Sequence, residues 1–256
     1  MNPLKKILFE LQEIGFLLAH SFLSLFSRPR YYTEIVKRMD IIGVGSLPII
    51  LLTGFFTGGV LTLQSFQTLA YYGAQSQIGQ LVAFTLIREL GPVLTALMVA
   101  GRIGSAISAE LGAMVVSQQI DAMRAFGTDP IRKLVLPRLV GLFFMLPLLT
   151  IAADVSGIIG GGVVASYIFG LDYNVFITSV RNGITIEDII GGMTKPFFFG
   201  LIIGLISCYR GLNTKGGTVG VGRSTTNAVV LSSIVVIIFD FFLSRVLQHF
   251  LDTTLL

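Results

Sequence analysis

The chain has 256 residues, of which 53% are hydrophobic and 12% are charged, and its formal net charge is +4. A soluble domain usually carries about twice this charged fraction, so the composition indicates an integral membrane protein and excludes an ordinary soluble domain. The single cysteine, Cys208, excludes an intrachain disulfide, and the sequence has no Cys/His cluster that could hold a metal.

The first predicted element is an amphipathic helix over residues 1–27. Its apolar residues recur at helical spacing, with charged and amide residues elsewhere on the helical wheel. Such a helix lies in the membrane interface; an ordinary amphipathic helix packed on protein is the alternative. Glu10 and Glu13 interrupt the apolar stretch, which argues against a removable signal peptide. The apolar set is Leu4, Ile7, Leu8, Leu11, Ile14, Leu18, Phe22 and Leu25.

Five apolar stretches follow, each long enough for a bilayer core of about 30 Å, which takes roughly 20 helical residues. We therefore predict an all-α integral membrane protein with a five-span bundle over 41–250, in a single domain that covers 1–256. The stretches lie near 41–70, 80–113, 135–168, 186–209 and 227–250.

Basic residues concentrate on one side of these spans. The turn at 71–79 has none, and the loop at 169–185 has only Arg181. Since basic loops stay in the cytoplasm, the amino terminus is predicted to be cytoplasmic and, after five crossings, the carboxyl terminus periplasmic. The cytoplasmic set is Lys5, Lys6, Arg28, Arg30, Lys37 and Arg38, then Arg124, Arg132, Lys133 and Arg138, then Arg210, Lys215 and Arg223.

The second span, "LIRELGPVLTALMVAGRIGSAISAELGAM" (86–114), carries ions at mid-depth. Arg88 and Glu89 are adjacent, so their side chains point about 100° apart and cannot neutralise each other. A lone ion at this depth costs at least ~2.5–3.5 kcal/mol, so each needs a partner on another helix or a wet cavity. Lys195 of the fourth span is the other basic residue at mid-span, and we predict that Glu89 approaches it. Gly91-Pro92 predicts a bend, with the end of the helix projecting into the cytoplasm.

Two interpretations of these ions stay open. They form either a structural salt bridge between helices or a polar patch in a cavity that meets a lipid headgroup. Asp154 and Asp240 are also at mid-span, and we interpret both as structural. Arg102 and Glu110 lie nearer the cytoplasmic end, where long side chains reach headgroups or loop carbonyls.

Small residues form two adjacent ridges in the second half of this span. Such ridges allow close helix packing in membranes, either within one chain or between two. The first ridge is Ala100, Gly104, Ser108 and Gly112, and the second is Gly101, Ser105, Ala109 and Ala113.

The segment "SQQIDAMRAFGTDPIRK" (117–133), which we name the coupling segment, predicts a short cytoplasmic helix between spans 2 and 3. Ser117 is expected to cap it, and Gly127 followed by Pro130 is expected to stop it. Ile120, Met123 and Phe126 are expected on one side, which suits docking into the groove of a partner. A plain surface helix is the alternative.

Motifs of enzymes are absent from the sequence. The Gly-rich stretch "KGGTVGVGRSTT" has neither the lysine nor the spacing of a phosphate-binding loop, and no set of catalytic residues is visible. We therefore expect no ATP hydrolysis by this chain. Basic loops beside anionic lipid account for the charge balance without nucleic acid.

Two stretches resemble a known family: "LIRELGPVLTALMVAGRIGSAISAELGAMVVSQQIDAMRAFGTDP" and "GVGRSTTNAVVLSS" (220–233). They are similar to the core of the MlaE-type permeases, the membrane subunits of the ABC transporter that maintains lipid asymmetry. The resemblance implies a homodimer in the bacterial inner membrane, with two copies of a cytoplasmic ATPase that binds ATP and Mg. It also implies a periplasmic MCE-type partner and a phospholipid held in an outward-facing cavity between the two permease copies.

The resemblance also implies roles for particular residues. Arg88, Glu89 and Lys195 correspond to the polar contacts of the lipid site. Leu61, Leu69 and Tyr72 correspond to its apolar and aromatic wall, with ordinary packing or interfacial anchoring as the alternative. A sterol or other hydrophobic cargo, or a membrane anchor that lines no lipid path, are the rival functions; a stand-alone channel or carrier would leave the coupling helix without a role. The coupling residues are Gln119, Ile120, Asp121, Met123, Arg124 and Phe126.

Overall fold

The structure, a computed structural model, describes residues 3–25 and 31–253. Almost all of these residues are helical, none of them lies in a strand, and five helices are long and apolar enough to cross a membrane. The predicted all-α membrane fold is therefore confirmed. Arg28 and Arg30, which the orientation prediction uses, lie outside the described residues, as do the ends of the predicted interfacial helix at 1–2 and 26–27.

The described residues form ten α-helices in chain order. They are α1 (Pro3–Leu25), α2 (Tyr32–Tyr71), α3 (Ile78–Thr85), α4 (Gly91–Val99), α5 (Ser105–Val116), α6 (Gln119–Ala125), α7 (Leu136–Tyr167), α8 (Tyr173–Gly183), α9 (Ile186–Leu212) and α10 (Gly217–Thr253). Spans 1 to 5 are Tyr32–Tyr71, Gln75–Val116, Ile131–Tyr167, Ile186–Leu212 and Gly217–His249. Each predicted stretch coincides with one span, and most spans begin earlier because the helix continues into polar residues.

Span 2 is interrupted by two π-helical turns, at Leu86–Leu90 and Ala100–Gly104. The first directly precedes Gly91-Pro92, where the sequence predicts a bend; the bend itself stays a prediction. Proline has no amide hydrogen and leaves the carbonyl four residues earlier without its helical donor. A π turn is a common response to such a break, and it occurs often at functional sites.

Helix α8 replaces the loop predicted over 169–185, so that prediction is wrong for residues 173–183. The Asp172 carboxylate caps the helix by accepting a hydrogen bond of 2.8 Å from the Asn174 amide. Phe176 and Val180, one turn apart, are buried. Gly79 of α3 packs directly against the Phe176 carbonyl, leaving no room for a Cβ.

Contacts along the chain define two compact units. The first comprises Met1–Ile42, Val99–Met145 and Phe199–Val236, and the second comprises Gly43–Met98, Leu146–Phe198 and Ile237–Leu256. The coupling segment belongs to the first unit. The ions at mid-span, Arg88, Glu89 and Lys195, belong to the second.

In the first unit, α1 turns its acidic residues toward the protein. Glu10 Oε2 lies 2.9 Å from Arg210 Nη2, and the Tyr209 hydroxyl donates a hydrogen bond of 2.7 Å to Glu13. Large apolar side chains elsewhere on α1 are exposed, which is what an interfacial helix needs. The exposed set is Phe9, Phe16, Leu18, Phe22 and Leu23.

The first small-residue ridge of span 2 also packs within this unit. A Cβ at Gly104 would lie 2.9 Å from Ser207 Oγ, and one at Gly112 would lie 2.8 Å from Thr214 Oγ1. Gly101, in the second ridge, has nothing within 4 Å. The first ridge therefore lies close to α9 at Gly104 and to the loop after α9 at Gly112, whereas the second has no such neighbour at Gly101.

In the second unit, glycines bring α2 and α7 into backbone contact. A Cβ at Gly58 would collide with the Gly157 carbonyl oxygen, and one at Gly160 would collide with the Phe55 carbonyl oxygen. An apolar core cluster lies in the same unit. Its buried members are Phe66, Ile78, Val82, Ala83, Leu86, Ala165, Phe176 and Val180.

Candidate functional site

Lys195, on α9, is the centre of an ion cluster. Its Nζ lies 2.6 Å from Glu89 Oε2, 2.9 Å from the Arg88 carbonyl oxygen and 3.1 Å from Asp240 Oδ1. The predicted approach of Glu89 and Lys195 is therefore confirmed. The Lys195 side chain is only 2% exposed. Two hydrogen bonds, to Glu89 and to the Arg88 carbonyl, and an ion pair with Asp240 replace the water that its ammonium group loses on burial.

The carbonyl that Lys195 contacts is the one that Pro92 frees. In a regular helix the amide of residue 92 would donate to the carbonyl of Arg88, but proline has no amide hydrogen. Lys195 Nζ takes that place at 2.9 Å. The sequence break at Gly91-Pro92 thus creates an acceptor in the middle of span 2, and a lysine of span 4 uses it.

Arg88 has a different partner from its neighbour, as the 100° step of the helix predicts. Its Nη1 lies 3.3 Å from Asp188 Oδ1, and its guanidinium lies 5.2 Å from the centre of the Phe84 ring. Asp188 is held in turn by Thr185, whose hydroxyl donates to Asp188 Oδ2 at 2.7 Å. Asp188 was not predicted from sequence, although it lies two helical turns before Lys195 on the same helix face.

Helix α10 completes the cluster with two residues one turn apart. Asp240 contacts Lys195, and the Ser244 hydroxyl donates a hydrogen bond of 3.1 Å to Glu89 Oε2. Asp240 is therefore a direct partner of Lys195, and the structural role predicted for it stays a prediction. Spans 2, 4 and 5 meet at this point.

A phosphate-binding site favours cations that carboxylates do not neutralise, and the ion cluster differs from that pattern. Arg88 and Lys195 are both paired with carboxylates. The exposed fractions of the side chains are 38% for Glu89, 22% for Arg88 and 2% for Lys195. Of the three charged residues predicted for the lipid site, Glu89 and Arg88 are therefore accessible, whereas Lys195 is buried against protein.

A small cavity adjoins the cluster. Its volume is about 10 Å³, which is about the room that one water molecule requires. This cavity cannot hold an acyl chain, so a lipid would have to reach Glu89 and Arg88 from their exposed side. The cavity is lined by Arg88, Glu89, Gly191, Lys195, Ser244 and Leu247.

The three predicted wall residues lie in different surroundings from the ions. Leu61 and Leu69 are partly buried and pack against the apolar core cluster. Tyr72 is 74% exposed beyond the end of α2, and its ring meets that of Tyr71 edge-on at 5.3 Å. Packing accounts for the two leucines, and Tyr72 has the exposure typical of an interfacial tyrosine.

Asp154 has the remaining carboxyl group at mid-span, and its contacts differ from those of the ion cluster. It is 7% exposed, and its Oδ1 has no hydrogen-bond partner. The carboxyl group lies against the backbone of Gly91, where a Cβ would collide with it. A larger residue at position 91 would require the Asp154 side chain to move.

The coupling segment forms the predicted short helix, α6, but its start differs. Gln118, with a left-handed φ of +58°, precedes the first helical residue. Ser117 donates its hydroxyl backward to the Ala113 carbonyl at 2.8 Å and ends α5, so the prediction that Ser117 caps α6 is wrong. The predicted stop is confirmed: Gly127 has a φ of +71°, and its amide donates to the Arg124 carbonyl at 2.9 Å.

The predicted coupling residues differ in how much of each side chain is exposed. Ile120 is 4% exposed and anchors α6 to the protein, whereas Phe126 is 86% exposed. The prediction that Ile120 and Phe126 share one side is therefore wrong, since Phe126 follows the end of the helix. The accessible members are Gln119, Asp121, Arg124 and Phe126, with Met123 half-buried.

Five membrane-spanning helices define a multi-pass membrane protein, and comparisons with known proteins give its class as a membrane transport subunit. The profile of the family described as Permease MlaE matches residues 35–246. The chain belongs to the MlaE permease family.

Several relatives match over most of this chain. A "Probable ABC transporter permease protein" of Rickettsia typhi is 39% identical over 239 residues, 92% of each chain. A protein of the same description from Synechocystis is 43% identical over 82% of this chain and 80% of its own length. The chloroplast protein TRIGALACTOSYLDIACYLGLYCEROL 1 of Arabidopsis thaliana is 38% identical over 84% of this chain and 61% of its own length.

Proposed function

We propose that this chain is the phospholipid-conducting permease subunit of an ABC transporter in the bacterial inner membrane. It exchanges lipid with a periplasmic MCE-type carrier and so maintains the lipid asymmetry of the outer membrane. Membership of the MlaE family supports this proposal. A relative whose name contains that of a galactolipid, trigalactosyldiacylglycerol, supports lipid as the class of cargo.

One observation carries the proposal: two oppositely charged residues at mid-span are held in place and remain accessible. Glu89 is fixed from its buried side by Lys195 Nζ at 2.6 Å and still exposes 38% of its side chain. Charges at this depth are costly and mark functional paths. Accessible charges lower the cost of bringing a polar headgroup into the membrane, because the headgroup exchanges water for protein partners.

The cluster divides into residues that touch the lipid and residues that position them. Arg88, 22% exposed, donates to the phosphate, since a guanidinium binds phosphate oxygens with paired hydrogen bonds. Glu89 lines the path beside it. Lys195 holds Glu89 and the freed carbonyl of Arg88 in place, and reaches the lipid only through them.

The lipid chamber lies between two copies of the chain. The most apolar stretches of spans 1 and 5 are only 33% and 11% buried, whereas that of span 3 is 61% buried. Spans 1 and 5 therefore offer apolar surface to lipid or to a second copy. In this arrangement Tyr72, with Leu61 and Leu69 behind it, contributes the wall of the chamber.

ATP is hydrolysed by a separate dimeric ATPase, which carries ATP and Mg and docks on the coupling segment. Exposed side chains next to a buried anchor suit such docking, and α6 has both. Ile120 fixes the helix, and Phe126 is free to enter a groove of the partner. The periplasmic partner is the MCE-type protein, and no nucleic acid takes part.

A second candidate is a membrane anchor that assembles the ATPase and the MCE-type protein without lining the lipid path. The cavity of about 10 Å³ at the cluster and the packing of Leu61 and Leu69 against the core favour it. A photoreactive residue at Tyr72 separates the two functions. A conducting subunit gives one specific lipid adduct, and an anchor gives only random labelling by surrounding lipid.

The test of function is transfer of labelled phospholipid between liposomes that contain the complete complex and acceptor MCE protein, with and without ATP. Arg88→Ala and Glu89→Gln are expected to slow ATP-dependent transfer about tenfold, which corresponds to ~1.4 kcal/mol of lost interaction. Glu187→Gln, which removes a carboxylate of α9 outside the cluster, is the matched control and keeps the normal rate.

Two results would contradict the proposal. Normal transfer by both cluster variants, with normal assembly, means that the cluster is a structural salt bridge. Transfer of a sterol or another hydrophobic compound in place of phospholipid, detected by mass spectrometry of the acceptor, means that the cargo is wrong.

A further inference from the structure

A second ion cluster, the Glu110 triad, lies in the first unit and consists of Arg38, Glu110 and Arg138. Arg38 binds Glu110 with both ends of its guanidinium group, Nη1 to Oε2 at 2.8 Å and Nη2 to Oε1 at 2.7 Å. Arg138 Nη2 lies 2.9 Å from the same Oε2. Glu110 therefore contacts two arginines rather than the headgroups or loop carbonyls predicted from its place in the span.

The position of the triad in the chain relates it to the coupling segment. Glu110 belongs to α5, which ends just before that segment, and Arg138 belongs to α7, which starts just after it. The Glu110–Arg138 contact thus connects the helix that precedes the coupling segment to the helix that follows it. Arg38 adds α2, so one carboxylate connects spans 1, 2 and 3.

The geometry of the triad resists sliding between these helices. A paired arginine–carboxylate contact fixes orientation as well as distance. Arg138 is 1% exposed, so it cannot exchange Glu110 for water without uncovering a buried charge. Packing beside the triad is also tight, because a Cβ at Gly141 would lie only 2.9 Å from Ile42 Cδ1 and 3.6 Å from Arg38 Cβ.

We propose that Glu110 is a positioning residue which makes spans 1, 2 and 3 move together when the ATPase displaces the coupling segment. The inference rests on the proposed function, because it assumes that the ATPase acts through this segment. Two arginines around one carboxylate, at both ends of the displaced segment, convert movement of a short helix into joint movement of three spans. Without the triad the segment can move while the spans stay in place.

The quantity that tests this role is the amount of phospholipid transferred per ATP hydrolysed, measured on the full complex in liposomes. Glu110→Gln keeps the shape of the side chain and removes its charge, and it is expected to lower this ratio at least about fivefold. Arg38→Lys, which keeps the charge and loses the paired geometry, lowers the ratio in the same direction. ATP hydrolysis by the assembled complex stays within about twofold of normal, since the triad lies outside the separate ATPase and the coupling segment itself is unchanged.

Glu10→Gln is the matched control. It removes a carboxylate that lies 2.9 Å from Arg210 Nη2 in the same unit but does not span the coupling segment, so the transfer ratio is unchanged. Arg38→Lys covers the case in which Glu110→Gln does not assemble, because Arg38 is 21% exposed and a lysine fits there.

The outcomes separate this inference from the proposed function. If hydrolysis and transfer fall in the same proportion in both triad variants, the triad only stabilises the fold and the inference is wrong. If the unmodified complex transfers no phospholipid with ATP, the proposed function itself fails, and the inference fails with it.

Discussion

Lys195 illustrates how one residue can sit at mid-span without its own access to water. Three oxygen atoms surround its Nζ, one from a carboxylate of span 2, one from a backbone carbonyl and one from a carboxylate of span 5. The carbonyl is available because Pro92 cannot donate to it. Burial of the ammonium group therefore depends on opposite charges and also on a proline elsewhere in the chain.

Removing this ammonium group should destabilise the protein strongly. Lys195→Met leaves Glu89 and Asp240 without their shared cation, and breaking a buried pair on one side costs about 3–5 kcal/mol. The measurement is the free energy of unfolding in a detergent titration of the purified chain. Arg124→Met, at a side chain that is 67% exposed, is the control and changes this free energy by less than about 0.5 kcal/mol.

The triple variant Lys195→Met, Glu89→Gln, Asp240→Asn removes the two carboxylates together with the cation. Removing all three charges is expected to recover most of the lost stability, because the cost lies in uncompensated charge rather than in the lysine itself. A triple variant as unstable as Lys195→Met would show that packing around the side chain, and not charge, is responsible.

The sequence allowed part of this site to be predicted, and the reason is electrostatic. Two ions of opposite sign at mid-span, on different helices, have few alternatives to each other, so Glu89 and Lys195 could be paired in advance. Asp188 and Ser244 could not, because contacts between residues 100 and 155 positions apart in the chain depend on how the helices are rotated. Hydropathy says nothing about that rotation.

At the scale of helices, α2 and α7 of the second unit come into backbone contact. Gly58 and Gly157 meet backbone to backbone, an approach that membrane helices use in place of the hydrophobic effect. The packing is specific, since a single methyl group at position 58 has nowhere to go.

Gly58→Ala is therefore expected to push the two helices apart and to cost about 1–3 kcal/mol of folding free energy. Gly222→Ala is the matched control. Gly222 lies in α10 with nothing within 4 Å of a Cβ, so alanine there is neutral or stabilises the helix by up to about 1 kcal/mol. The measurement is the thermal midpoint of each variant in detergent; equal midpoints for the two variants would contradict the close contact.

The elements themselves were predictable to different degrees. Long apolar stretches place the five spans because a bilayer requires about 20 apolar residues from any crossing helix. Helix α8 was missed although its residues are amphipathic and Asp172 caps it, because its 11 residues are too few to cross a bilayer and a search for spans passes over it. The π turns and the left-handed Gln118 leave no periodic signal in sequence, and the misplaced cap at Ser117 follows from the latter.

For the whole molecule, the orientation in the membrane stays a prediction, and it can be tested directly. A carboxyl-terminal fusion to alkaline phosphatase is expected to be active, because that enzyme needs disulfides that form only outside the cytoplasm. A fusion after Lys215, in the basic loop before α10, is expected to be inactive. A fusion after Gly170, between α7 and α8, serves as the positive control; the reverse pattern of activity would overturn the orientation.

The size of the cavity beside Lys195 limits which ions and molecules can enter it. A space of about 10 Å³ admits about one water molecule, which is too little for a hydrated sodium ion or for a continuous file of water that relays protons. The three charged side chains that line it, Arg88, Glu89 and Lys195, thus form no conducting pore through this cavity. The charges of the cluster can thus face an amphiphile at mid-depth without this cavity becoming a route for ions across the bilayer.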